Sequence, residues 1–315
     1  MRLSRPINVA CLQMNSGPDV ASNLEFIKHS LIEANDIDLL VLPENFAQIP
    51  ANRSELVTET DSREISEEPT PIQNFLKDLA AENHMVIIAG SLPITVKDVN
   101  KPYSRCLIVT PTGIIDSYDK IHLFDVEVTR EDGRQRYHES DTYQKGTISL
   151  SNRAVKELNI GGNDIRLGTS ICYDLRFPEL YRGFAQQDAN LVTVPSAFTY
   201  ETGLVHWELM LRARAIENQN FVLAAAQVGV HANHRRTWGQ SMIVDPWGKV
   251  IAQMEPLADK EPLADKEPSA GKEPSAEKEP SAEKEPAVGL VSAELDLNQI
   301  RQLQKKFPVL NHRRI

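Results

Sequence analysis

Leu39-Leu-Val-Leu-Pro-Glu-Asn-Phe46 decides how this chain folds. An unbroken apolar run stops abruptly at a carboxylate. A strand with one face in water alternates apolar and polar residues, whereas a continuous apolar run of strand length belongs to a strand covered on both faces. The same texture recurs outward in both directions. Strand-like runs occupy 7–13, 38–42, 85–92, 105–110, 113–118, 165–172, 190–194, 221–227, 241–245, 249–253 and 289–295. Amphipathic helical stretches sit between them, at 23–33, 71–82, 178–187 and 204–218. In the first, Leu24, Ile27, Leu31 and Ile32 share one face; in the second, Pro71 opens the first turn ahead of Ile72, Phe75, Leu76 and Leu79. Pro111-Thr-Gly113 and Pro246-Trp-Gly248 supply tight turns. The pattern predicts one α/β layered domain over residues 1–315, with about eleven strands.

One segment departs from this texture. From Glu255 the chain reads EPLADK twice, EPSAGK once and EPSAEK twice, closing on Glu285-Pro286. A proline every six residues costs a helix roughly 3 kcal/mol each time. Three of the five hexads have no large apolar residue and the other two a single leucine, too little to bury as a solenoid either. The expectation is a disordered loop over 255–286, inserted between two strands. Growing a loop from about 4 to 32 residues costs only about 2 kcal/mol of closure entropy, which a large domain tolerates.

Composition narrows the setting. The 315 residues are 41% hydrophobic and 25% charged, with a formal net charge of −10, half of which lies in the repeat. That balance argues against nucleic acid as the main partner. No apolar window is long enough for a membrane helix, and residues 1–10 lack the apolar core of a signal peptide. Three cysteines cannot build a disulfide framework, so a reducing, cytoplasmic setting is expected.

Which cysteine does chemistry? Cys11 and Cys106 lie within strand patterns and read as small buried hydrophobes. Cys172 ends the run Ile165-Arg-Leu-Gly-Thr-Ser-Ile171 and precedes a helix with Pro178 near its start. Backbone N–H groups and a helix dipole there are expected to lower a thiol pKa, and the Tyr173 N–H is a candidate oxyanion donor. On position alone this reading stands level with a core cysteine. None of the eight histidines sits at a comparable strand end. His231 and His234, beside Arg235 and Arg236, read as a solvated turn rather than a metal pair. Glu44, after its apolar run, reads either as a general base with a pKa raised by desolvation or as a surface acid. Lys120, after a hairpin strand, reads as a site cation or a rim residue. Arg176, one turn beyond Cys172, either pairs a substrate carboxylate or forms an ion pair with Asp174 or Glu179.

Leu42-Pro-Glu-Asn45, Tyr118-Asp-Lys-Ile-His122 and Ser170-Ile-Cys-Tyr-Asp-Leu-Arg-Phe-Pro-Glu179, in this order, resemble the nitrilase or carbon–nitrogen hydrolase superfamily. The resemblance covers essentially the whole chain outside the repeat. It implies a Glu44–Lys120–Cys172 triad, with a second glutamate between lysine and cysteine. Glu139, in Tyr137-His-Glu-Ser140, matches that position best, and Glu127 competes with it. Pro195-Ser-Ala-Phe-Thr199, His206-Trp-Glu208, Arg212-Ala-Arg-Ala-Ile-Glu217 and Val244-Asp-Pro-Trp-Gly248 are similar to the Nit branch. Ser196 and Ala224-Ala-Ala-Gln227 resemble the deaminated glutathione amidase group more than the ω-amidases, which act on α-ketoglutaramate.

The resemblance further implies a four-layer αββα sandwich, homodimers and a small-molecule amide substrate, with neither metal nor organic cofactor. Phe198 and Thr202 are implied to line the pocket beside Arg176. Rival expectations are an ω-amidase, a nitrile or carbamoyl-amide hydrolase, and a non-catalytic interaction protein working through the repeat.

Overall fold

Leu39–Glu44 lies near the middle of a seven-stranded sheet. The computed structural model describes residues 5–32, 34, 36–62, 70–130, 133–147, 155–257 and 285–314. The sheet runs Gly289–Leu295, Ile7–Gln13, Leu39–Glu44, Val86–Thr95, Tyr103–Thr110, Gly113–Asp119, and the short strand Glu59–Thr60 also pairs with Val86–Thr95. Its three central strands are parallel and its flanking pairs antiparallel. A six-stranded sheet follows the order Val250–Gln253, Met242–Val244, Phe221–Ala224, Leu191–Thr193, Asn163–Thr169, Val155–Ile160.

Period-two geometry explains why the central strands are apolar throughout. Ile7, Val9, Cys11, Leu39, Val41 and Ile88 share one core with Ile165, Leu167 and Leu191 of the second sheet. Their neighbours Ala10, Leu12, Leu40, Leu42 and Ile87 face the other way, onto Ile27, Leu76 and Leu79 of the helices Val20–Ser30 and Pro71–Glu82. Helices Pro178–Gln186 and Tyr200–Asn218 cover the second sheet. There the Phe184 ring comes so close that a Cβ on Gly168 would sit 2.7 Å from it. The layers are therefore helix, sheet, sheet, helix, the expected αββα sandwich.

Several boundaries differ from the sequence expectation. The first helix begins at Val20 rather than 23, because the Asp19 side chain accepts from the Ser22 N–H at 2.7 Å and caps it. The fourth begins at Tyr200 rather than 204, and the 165–172 strand ends at Thr169. Sequence reading missed the edge strand Val155–Ile160, the hairpin Asp125–Arg130/Gly133–His138, the pair Val228–Val230/Arg236–Trp238 and the helix Asn298–Lys306. The Gly161-Gly162 turn, both residues at positive φ, after an alternating run was the available signal for the first of these.

The insertion connects the outer strand of one sheet to the outer strand of the other. Residues 258–284, most of the repeat, lie outside the described residues. Its two ends meet at one buried side chain: the Gln13 amide donates to Glu255 O and Ala287 O, both at 2.8 Å, and its carbonyl accepts from Ser241 N. Because these ends already lie side by side, deleting 258–284 is expected to leave turnover unchanged. It should also stabilise the fold by up to about 2 kcal/mol in urea unfolding. Loss of turnover in a folded deletion variant would give the repeat a working role.

Candidate active site

The two main sheets and the Asp125–Arg130/Gly133–His138 hairpin supply four side chains that meet at one end of the sandwich. Glu44 is the last residue of Leu39–Glu44, and Lys120 follows directly on Gly113–Asp119. The Lys120 ammonium donates to Glu44 Oε1 at 2.7 Å and to both oxygens of Glu139 at 2.8 Å. Glu139 opens a short turn after Gly133–His138, and its Oε2 also accepts from Phe124 N at 2.7 Å. From the second sheet, Ala197 N donates to Glu44 Oε2 at 2.8 Å, tying the two sheets together. Cys172 lies near enough for its thiol and the Glu44 carboxylate to act on each other. Glu127, the competitor of Glu139, is exposed and lies 3.8 Å from Arg136, away from this cluster.

Burial and charge set the protonation states, and two of them oppose the sequence expectation. Burial alone pushes the Glu44 carboxyl up, as expected, but Lys120, Arg235 and the hydrogen bonds from Lys120 and Cys172 outweigh it and hold Glu44 below its ordinary value. The Cys172 thiol was expected to be lowered by its place before a helix. Instead burial pushes it up, and the neighbouring Glu44 carboxylate adds to that. Lys120 is disfavoured by burial, yet Glu139 and Glu44 raise its pKa well above the ordinary lysine value. The resting site thus pairs a carboxylate with a neutral thiol beside a fixed ammonium.

The turn carrying Cys172 is built for display. Cys172 opens the short 3₁₀ turn Cys172–Arg176 at φ +47°, a left-handed conformation that costs a non-glycine residue energy, and its N–H donates to Pro195 O at 2.9 Å. Fully buried Asp174 braces it. One Asp174 oxygen accepts from His122 N at 3.0 Å and meets His122 Nδ1 at 2.7 Å. The other accepts from Tyr118 OH at 2.7 Å and Ile171 N at 2.9 Å. Tyr118 and His122 flank Lys120, so this carboxylate locks the cysteine turn to the lysine segment. Asp174→Asn puts an NH₂ where donors already point, at an expected cost of about 2–3 kcal/mol. Turnover should fall with it. A melt and a rate indistinguishable from wild type would remove this bracing role.

Beside Cys172 lies a narrow cleft with only about 10 Å³ of free space, whose lining includes Tyr173, Arg176, Phe198, Thr202 and Arg235. All the sequence-identified pocket residues are therefore gathered here. Arg176 does not pair with Asp174 or Glu179; its guanidinium lies 5.1 Å from the Phe198 ring centre and 3.3 Å from His206 Nδ1. Arg235 was missed. Sequence reading placed it in a solvated turn with His231 and His234, but only part of that turn is solvated. His234 is exposed, while His231 is buried between Ser16 O and Thr237 Oγ1, and burial lowers its pKa to about 4. Among the described residues no group of three or more His, Cys, Asp or Glu side chains is placed to hold a metal ion, and no helix is long and apolar enough to cross a membrane.

Comparison with known proteins agrees with this fold. The carbon-nitrogen hydrolase family profile matches residues 8–261. A deaminated glutathione amidase of Yersinia enterocolitica is 41% identical over 257 residues, covering 78% of this chain and 82% of its own. Another from Synechocystis sp. is 35% identical over 313 residues, covering 98% of each chain. The crystal structure of Saccharomyces cerevisiae Nit3, a member of branch 10 of the nitrilase superfamily, superposes with a TM-score of 0.74 at 27% identity, covering 99% of this chain and 98% of that one. With a profile match across most of its length and relatives of this similarity, the chain belongs to the carbon-nitrogen hydrolase family.

Proposed function

We propose that this protein is a thiol amidohydrolase cleaving the C–N bond of a small carboxylate-bearing amide, with deaminated glutathione as the preferred substrate. The observation that carries the reading is the single buried ammonium of Lys120 holding Glu44 and Glu139 beside Cys172. The names of the two relatives support the choice of substrate.

The resting protonation states suit the chemistry. Glu44, ionised, takes the Cys172 proton as the sulfur attacks the amide carbonyl, so the proton moves without changing the site's total charge. Negative charge then builds on the carbonyl oxygen. Lys120 stabilises it through space or by releasing a Glu139 contact, since three carboxylate oxygens already face its three N–H groups. The Tyr173 N–H, which has no acceptor among the described residues, is the second donor. Protonated Glu44 passes its proton to the leaving nitrogen, and the departing amine leaves a thioester on Cys172. Water, deprotonated by Glu44, hydrolyses that thioester. Glu139 touches no reacting atom in this scheme; it positions Lys120. Arg176, Phe198 and Thr202 hold the substrate.

The deciding assay measures amine or ammonia release from deaminated glutathione, α-ketoglutaramate, a simple nitrile and an N-carbamoyl amine. Deaminated glutathione should have the highest kcat/KM; a preference for α-ketoglutaramate would make the protein an ω-amidase. Release from none, with Cys172 inert to alkylation, would favour an interaction protein. The exposed apolar side chains Leu204, Val205 and Leu209 on the Tyr200–Asn218 helix support a homodimer joined through helix layers, which sedimentation velocity would test.

A further inference from the structure

The cleft holds two guanidinium groups, and neither has a carboxylate partner among the described residues. Arg176 packs against Phe198 and His206. Arg235 donates through Nη2 to Ala197 O and lies 5.9 Å from the Tyr137 ring centre, while its Nε is buried and bonded to nothing among the described residues. Both nearby acids, Glu44 and Glu139, are spent on Lys120. A half-buried cation with no ion pair of its own is costly to keep, and one anion clamp suffices for a monocarboxylate amide that releases ammonia. A second clamp calls for a second anion.

The two arginines also have different neighbours. Arg235 bonds the carbonyl of Ala197, the residue whose N–H holds Glu44, and its charge acts on both Glu44 and Cys172. Glu44 is the group that protonates the departing nitrogen. Arg176 lies instead by Tyr173 and Phe198. The cleft, with about 10 Å³ of free space, has room for roughly one water and so encloses only a small part of a tripeptide-sized molecule.

We propose that Arg176 and Arg235 form a two-point clamp for an amide carrying a carboxylate on each side of the scissile bond, Arg176 binding the acyl-side carboxylate and Arg235 that of the leaving group. This rests on the amidohydrolase reading above and deepens it, because deaminated glutathione carries both carboxylates and α-ketoglutaramate only the acyl-side one.

The experiment compares three substrates: deaminated glutathione, the same molecule with its glycyl carboxylate converted to the amide, and α-ketoglutaramate. Each is assayed with wild type, Arg235→Met, Arg235→Lys and Arg176→Met, after melting curves show the variants folded. Wild type should bind the acid more tightly than its amide. Arg235→Met should raise KM for the acid about tenfold or more relative to its effect on the other two substrates, on top of any loss common to all three through Glu44. Arg235→Lys, which keeps the charge without the fork, should fall between wild type and Arg235→Met for the acid. Arg176→Met should raise KM for all three. Equal losses on every substrate with Arg235→Met, together with a displaced acid limb in the pH–rate profile, would make Arg235 a partner of Glu44 and overturn the clamp. Unchanged kinetics, or a wild type indifferent to the glycyl carboxylate, would overturn it too. Failure of wild type on all three substrates would instead remove the amidohydrolase reading itself.

Discussion

Cys172→Ala should lower turnover by at least about 10⁴-fold while leaving the protein folded. The sulfur is the only atom in the proposed scheme that bonds to the substrate, and no neighbouring group can replace it: Glu44 and Glu139 are held by Lys120, and Tyr173 offers only its N–H. The structural cost is small. Cys172 is nearly buried, so losing the sulfur costs about 1 kcal/mol, and the contacts that shape its turn survive because they run from Cys172 N to Pro195 O and through Asp174. The variant also separates the three thiols. Cys11 and Cys106 are fully buried within strands, whereas Cys172 lines the cleft beside Glu44, so one equivalent of an alkylating reagent should label wild type at Cys172 alone and the variant hardly at all. Turnover by the variant within tenfold of wild type would end the covalent scheme.

Much of this arrangement was legible in the sequence, because strand-covering patterns and strand-end polar residues are local signals. The run 39–43 announced a strand covered on both faces, and its abrupt stop placed Glu44 at a sheet end. Glu139 required the family resemblance, since no local pattern separates it from Glu127; the separation comes from where the Asp125–Arg130/Gly133–His138 hairpin delivers each residue. What escaped were consequences of distant chain segments meeting. Nothing near Glu44 in sequence announces Lys120, so local reasoning saw only desolvation and assigned its pKa shift the wrong direction. Cys172 failed in the same way: a dipole argument covers its own turn, whereas burial and a carboxylate from the other sheet decide its protonation. Arg235 follows an ordinary histidine turn, and only folding brings it to Ala197. Asp174 entered the sequence reading merely as a possible partner for Arg176, although it braces the nucleophile's turn.

The buried cation is the other point of greatest sensitivity. Lys120→Met keeps the length of the side chain and removes its charge, leaving Glu44 buried and Glu139 nearly so without their partner. Breaking such a pair on one side should cost about 3–5 kcal/mol in urea unfolding near neutral pH and abolish turnover. The pH dependence should also change sign. In wild type the folded-state pKa of Glu44 lies below its unfolded value of about 4.3. Its contribution is therefore present above that unfolded value and is lost as pH falls through the folded one. Without Lys120, burial dominates, the folded pKa rises above the unfolded value, and the folded state binds the extra proton. The variant should then lose stability as pH rises from about 4 to 8, where wild type does not. Adding Glu44→Gln removes the stranded charge, so Lys120→Met/Glu44→Gln should recover most of the lost stability and flatten that slope, with turnover still absent. If Lys120→Met alone costs less than about 1 kcal/mol and keeps the wild-type slope, the ammonium is not what holds the two carboxylates together.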